Sequence, residues 1–145
     1  MTEKELHIQI CDYLKLQYPH VRFSSNFGSG IKMTIGQASV QKRQQSHKGY
    51  PDLFIIARSK HYSYQGSVEW YSGLFIEIKK DGEKIFKKDG KTYKSEHLES
   101  QAEYIDYLNE NGFYATFGIG FDEIRKIIDD YFGNSTEVDD SYPQF

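Results

Sequence analysis

A lone cysteine, no long apolar run and no net positive charge are the first features of this sequence. Cys11 by itself cannot close an internal disulfide, which fits a reducing, cytoplasmic setting. No stretch approaches the roughly 20 apolar residues that a membrane-spanning helix needs. The start, MTEKELHIQ, lacks the apolar centre of a signal peptide, so an intracellular protein is the expectation. No arginine-rich module and no second domain stand out. With 38% hydrophobic and 16% aromatic residues, the chain is globular rather than disordered, and 145 residues suffice for one domain with a real core.

The net charge of −3 argues at first against a nucleic-acid partner, but the charge is segregated. Ile31 to Lys48 holds Lys32, Lys42, Arg43 and Lys48 with no acid. Lys79 to Lys94 holds seven lysines against Asp81, Glu83 and Asp89. Phe121 to Phe145 holds seven acids against Arg125 and Lys126. A basic surface can therefore coexist with an acidic chain end. Each run can equally be a solvated loop or helix face.

Thr2 and Glu5 have capping-box spacing, and Leu6, Ile10 and Leu14 recur at helical intervals, so Glu3 to Tyr18 reads as a helix. Val21 to Phe27 reads as a strand entering a turn with Asn26, Gly28 and Gly30. Residues 31–48 are polar and weakly periodic and read as a loop. Leu53 to Ala57 and Leu74 to Ile78 are short apolar runs behind Pro51 and Gly73, the marks of buried strands. Gln65-Gly66 between them marks a hairpin tip, with Tyr62, Tyr64, Trp70 and Tyr71 as cross-strand aromatics. Leu98, Ala102, Ile105 and Leu108 define a helix closed by Asn111-Gly112. A strand over Phe113 to Gly118 and a helix over Phe121 to Phe132 follow. The expected organisation is one α/β domain over residues 1–133 with an acidic tail over 134–145.

Three charged residues stand where burial makes charge expensive. Asp52 opens one apolar run, and Glu77 and Lys79 share a face of the next by strand alternation, with Ile78 on the other face. If the two strands pair, two carboxylates and an ammonium converge. Adjacent carboxylates repel, and a divalent cation with hard oxygen ligands, Mg²⁺ above all, relieves that conflict. A plainer alternative is a Glu77–Lys79 ion pair at an exposed strand end, with Asp52 opening a turn.

Pro51-Asp52 and Glu77-Ile78-Lys79, 25 residues from aspartate to glutamate, resemble the PD-(D/E)xK nuclease signature. More narrowly, the chain resembles the VRR-NUC nucleases from about Thr2 to Phe132. Gly49-Tyr50-Pro51-Asp52-Leu53 is similar to that family's G-x-P-D-L, and Gln101 with Tyr104 to its Q-x-x-aromatic. Gly120-Phe121-Asp122-Glu123 before an apolar helix matches as well.

The resemblance implies a restriction-endonuclease-like αβββαβ core with a mixed central sheet flanked by helices. It implies Asp52, Glu77 and the Ile78 carbonyl as ligands of Mg²⁺ or Mn²⁺, and Lys79 as the catalytic lysine. Gln101 would support the site from its helix, with Tyr104 packed beside it. Glu3 follows Thr2 as the family's first-helix acid follows Ser or Thr, and so completes the metal set. Asn26 would lie near the phosphate path, although an Asx turn accounts for it equally well. His7 stands where the family often has Gln, so either a site role or a satisfied, partly buried histidine fits it. Lys80 replaces a neighbour that is often small in the family.

The implied activity is metal-dependent hydrolysis of DNA phosphodiester bonds. The phosphate surface would be Lys42, Arg43, Lys48, Lys80, Lys84 and the lysines up to Lys94. Small stand-alone members of the family resemble dimeric junction-resolving enzymes, so a homodimer acting on a four-way junction is the expected form. A monomeric flap or nicking repair nuclease, or a non-catalytic nucleic-acid-binding module, are the other readings.

Overall fold

The computed structural model describes residues 1–26, 34–62 and 65–133. Phe27, the turn glycines Gly28 and Gly30, Tyr64 and the acidic tail lie outside the described residues.

The first helix, α1 (Glu3–Gln17), starts where the sequence signals it. Thr2 caps the backbone N–H of Glu5, and the Glu5 carboxylate accepts from the Thr2 N–H in return. The short strand β1 (Arg22–Ser25) follows. Residues 31–48 are not all loop as the sequence reading had them: Ile35–Arg43 form a helix, α2. A second capping box, between Thr34 and Gln37, starts it. No α2 residue is buried, so the helix carries no apolar stripe for periodicity to reveal.

Strands β2 (Leu53–Ile56) and β5 (Leu74–Lys79) are the two apolar runs. Between them β3 (Ser59–Tyr62) and β4 (Val68–Tyr71) form a separate antiparallel pair. Its rings serve the hairpin and its supports: His61 stacks on Tyr71 at 4.0 Å, and the Arg58 guanidinium lies over Trp70. Helix α3 (Glu96–Glu110), strand β6 (Tyr114–Ile119) and helix α4 (Gly120–Tyr131) complete the order.

The main sheet runs β1-β2-β5-β6, antiparallel except for the parallel β5–β6 pair. This is the mixed α/β, restriction-endonuclease-like arrangement: α1, three strands, α3 and a fourth strand, with helices on both faces. Alternation along β5 divides its side chains. Leu74, Ile76 and Ile78 enter one core with Leu6, Ile10 and Leu14 of α1 and Ile124 and Ile128 of α4. Phe75 enters the other with Ile105 and Leu108 of α3. Glu77 and Lys79, at the same parity as Phe75, are turned toward α3.

Polar ties fix the layers to each other. The Tyr13 and Tyr18 hydroxyls both donate to Asp129, joining α1 to α4. The Tyr131 hydroxyl donates to the Ala57 carbonyl, and Ser59 donates back to the Tyr131 carbonyl. These bonds dock the end of α4 at the base of the hairpin.

Gly49 sets the approach of Pro51-Asp52 to α3. Its φ is +93°, and a Cβ there would sit 2.5 Å from the Ser100 carbonyl oxygen. Gly49→Ala meets both backbone strain and a backbone clash, and is expected to cost about 2 kcal/mol or more. A urea melt checks this: an unchanged midpoint would mean that this loop does not bear on α3 in solution.

Candidate active site

The β2–β5 register pairs Leu53 with Ile76, and one step further sets Asp52 opposite Glu77. A strand ladder thus brings the two carboxylates together at its end, and the Ile78 N–H donates to Asp52 Oδ2 at 3.1 Å. Both are buried, Glu77 to 3% exposure and Asp52 to 7%. The Lys79 ammonium lies 3.7 Å from Glu77 Oε1, and its residue is also 7% exposed. An exposed strand-end ion pair does not describe this geometry.

Helix α3 supplies the polar roof. Ser95 caps it, and less than two turns further in Gln101 is buried and donates through Nε2 to Glu77 Oε1 at 2.7 Å. The same amide lies 3.1 Å from His97 Nε2, one helical turn away. With Nε2 accepting, His97 holds the Gln101 amide so that its nitrogen, not its oxygen, meets the carboxylate. Tyr104 stacks edge-on to Tyr50, closing the roof against the Gly49–Asp52 segment.

Helix α1 contributes from the opposite side. Glu3, partly exposed, lies 3.7 Å from His7 Nε2, and Asp52 Oδ2 lies 3.8 Å from the same atom. His7 is 2% exposed. Donor atoms of Glu3, His7 and Asp52 all fall within 4.8 Å of one another.

The electrostatics are unbalanced. Burial, then the Asp52 charge, push the Glu77 carboxyl up to about 9, against the lowering influence of Lys79. Glu77 Oε2 is buried without a hydrogen-bond partner. A buried carboxylate oxygen lacking a donor, beside a second carboxylate, is a set of hard oxygen donors that a divalent cation satisfies. The residues present fit such an ion.

Glu3, Asp52, Glu77, Lys79 and Gln101 open onto one cleft of about 490 Å³. Asn26 and Lys42 lie on its rim, and the Asn26 N–H donates to the Asp52 carbonyl at 2.7 Å. Lys48 lies instead on a neighbouring cavity with Ser100 and Tyr104. Lys80 lies on another, beside Asp81 and Glu123. Arg43 and Lys84 are exposed and line none of these three cavities. The buried Ile78 side chain belongs to the α1–α4 core, so only its backbone is on the site side. His97 escaped sequence reasoning. Its one signal, four-residue spacing from Gln101, acquires meaning only once Gln101 is known to reach Glu77.

No family model and no curated protein matches the chain. Comparison of folds finds a solved VRR_NUC domain protein at 27% sequence identity, with a TM-score of 0.60. The match covers 93% of this chain and 91% of that one. This likeness supports a VRR-NUC domain in the chain, with which the PD-(D/E)xK superfamily is consistent.

Proposed function

We propose that the protein is a metal-dependent, structure-specific DNA endonuclease that resolves four-way junctions as a homodimer. The observation that carries the nuclease reading is the buried Asp52–Glu77–Lys79–Gln101 cluster at the mouth of a cleft, in a chain similar to a VRR_NUC domain protein.

Asp52, Glu77 and the Ile78 carbonyl, with Glu3 from α1, would hold Mg²⁺ or Mn²⁺. Such an ion supplies Lewis-acid stabilisation of charge on the reacting phosphoryl group. The protein's own groups do the rest. Gln101 fixes the Glu77 carboxylate, and the Ile78 N–H fixes that of Asp52. Lys79 orients the attacking water, takes part in its proton loss and steadies charge developing on the phosphate.

DNA would enter along α2. Ala38, Gln41 and Lys42 of α2, and Gln45 just past its end, line the cleft wall, although α2 buries none of its residues. A helix that presents a face to the cleft and packs on little else is placed to meet a phosphate backbone. With Arg43, Lys48, Lys80 and Lys84 it supplies the cationic surface around the domain of residues 1–133. Lys42→Ala combined with Lys84→Ala is expected to lower the slope of log affinity against log salt by about 2, close to 0.9 per phosphate contact. A slope left unchanged in binding titrations would place the backbone contacts elsewhere.

The reading is tested by a cleavage time course on end-labelled four-way junction, 5′ flap and plain duplex, each with Mg²⁺ or Mn²⁺. Paired symmetric cuts on the junction establish a dimeric resolvase. Preference for the flap by a monomer replaces it with a repair-type nuclease. DNA binding without metal-dependent cutting of any substrate replaces it with a binding module.

A further inference from the structure

Helix α1 carries a buried histidine, His7, whose Nε2 is turned toward two carboxylates. Glu3 and His7 share one face of α1 at four-residue spacing, and Leu6 and Ile10 on either side of His7 are locked in the core. The imidazole therefore has little freedom to turn away. Its Nε2 stands 3.7 Å from Glu3 Oε1 and 3.8 Å from Asp52 Oδ2. Two donors on opposite sides of one ion, each at about 2.2 Å, stand about 4.4 Å apart. Glu3 is partly exposed, and the donor atoms of the three residues lie within 4.8 Å of one another, close to that span.

A second observation points to an ion beside the same Asp52. Glu77 Oε2, on the carboxyl that neighbours Asp52, is buried without a hydrogen-bond donor, so the cluster has an acceptor that the protein does not satisfy. Asp52 is thus shared between an all-oxygen set with Glu77 and a mixed nitrogen–oxygen set with Glu3 and His7.

We infer that His7 Nε2 is itself a metal ligand, and that the Glu3–His7–Asp52 position takes a first-row transition ion such as Mn²⁺ in preference to Mg²⁺. The inference deepens the nuclease reading and rests on its metal dependence. Its chemical basis is the donor set. Mg²⁺ demands near-ideal octahedral oxygen coordination and holds its waters, whereas an imidazole nitrogen adds affinity for transition ions that it does not add for Mg²⁺. Gln at this position would offer only an amide oxygen or a non-ligating NH₂.

The test is pulsed electron paramagnetic resonance on the full chain loaded with one equivalent of Mn²⁺ and no DNA, alongside Mn²⁺ and Mg²⁺ titrations by calorimetry. Nitrogen modulation of the Mn²⁺ signal is expected in the wild-type protein and in His97→Gln, and its loss in His7→Gln. His7→Gln is also expected to weaken Mn²⁺ binding about 10-fold or more and Mg²⁺ binding much less. A chain with His20, His47, His61 and His97 all changed to Gln keeps His7 in its place and should retain the modulation, even if His7→Gln fails to fold. No modulation in the wild type, its loss in that fourfold variant, its persistence in folded His7→Gln, or equal weakening of both ions overturns the inference. Nitrogen-coupled Mn²⁺ in a protein that cuts no DNA leaves this inference standing and removes the nuclease reading. Metal-dependent cutting without nitrogen coupling does the reverse.

Discussion

Lys79→Met is expected to slow single-turnover DNA cleavage by about 10²–10³-fold while changing DNA affinity little. Its residue is 7% exposed, so the aliphatic stem is packed and methionine replaces most of it without opening a large void. What the substitution removes is the ammonium 3.7 Å from Glu77 Oε1. The Gln101 hydrogen bond to that oxygen remains, so the carboxylate keeps its orientation. Loss of rate with retained binding would locate the role of Lys79 in the chemical step rather than in holding the phosphate backbone, which the exposed lysines are expected to do. Glu77→Ala is a poorer probe of the same step, since it also empties a buried position and strands Gln101. A drop of less than about 10-fold for Lys79→Met would assign proton handling to another group.

How much of this was legible in the sequence follows from which signals are local. Helix α1 could be read because Thr2 and Glu5 form a capping box and Leu6, Ile10 and Leu14 have one core to face. Strands β2 and β5 could be read because Pro51 and Gly73 bound short apolar runs, β5 buried on both faces and β2 through Leu53 and Ile55 on one. Helix α2 could not, because it buries nothing and its capping box is local chemistry without a packing stripe. The hairpin was legible from Gln65-Gly66, but not that β3 and β4 would stand outside the main sheet, since that depends on pairing partners distant in the chain.

The charged cluster was legible in part for the same reason. Period-two spacing placed Glu77 and Lys79 on one face, and pairing of two neighbouring strands set Asp52 against them. The surface lysines were the least legible. Composition shows that Lys48 and Lys80 sit in basic runs, but whether an exposed side chain borders the cleft or another cavity is decided by loop paths that leave no periodic mark.

Glu77→Gln is expected to stabilise the metal-free protein at alkaline pH and to weaken its response to Mg²⁺. Burial and the neighbouring Asp52 push the Glu77 carboxyl from the ordinary 4.5 up to about 9. The folded chain therefore binds one more proton than the unfolded chain between those values. A raised carboxyl pKa makes stability greatest below the unfolded value and loses it as pH rises through the folded one. Metal-free wild-type protein should accordingly melt at progressively lower temperature from about pH 6 to about pH 9. The amide of Glu77→Gln has no charge to bury; its oxygen still accepts from Gln101, and its NH₂ can donate to Asp52. Its melting temperature should lie above that of the wild type and vary less over the same range. Divalent ions reverse the order. An ion that displaces the Glu77 proton binds more tightly as pH rises, and at a hundred times its dissociation constant it adds about 2.7 kcal/mol to the wild type. With Mg²⁺, Glu77→Gln, lacking a charged ligand of the oxygen set, should show a smaller shift. A pH-independent melting difference between the two proteins would mean that Glu77 is already ionised near neutrality. The conflict between the paired carboxylates would then be resolved by Lys79 and Gln101 alone, without a metal ion.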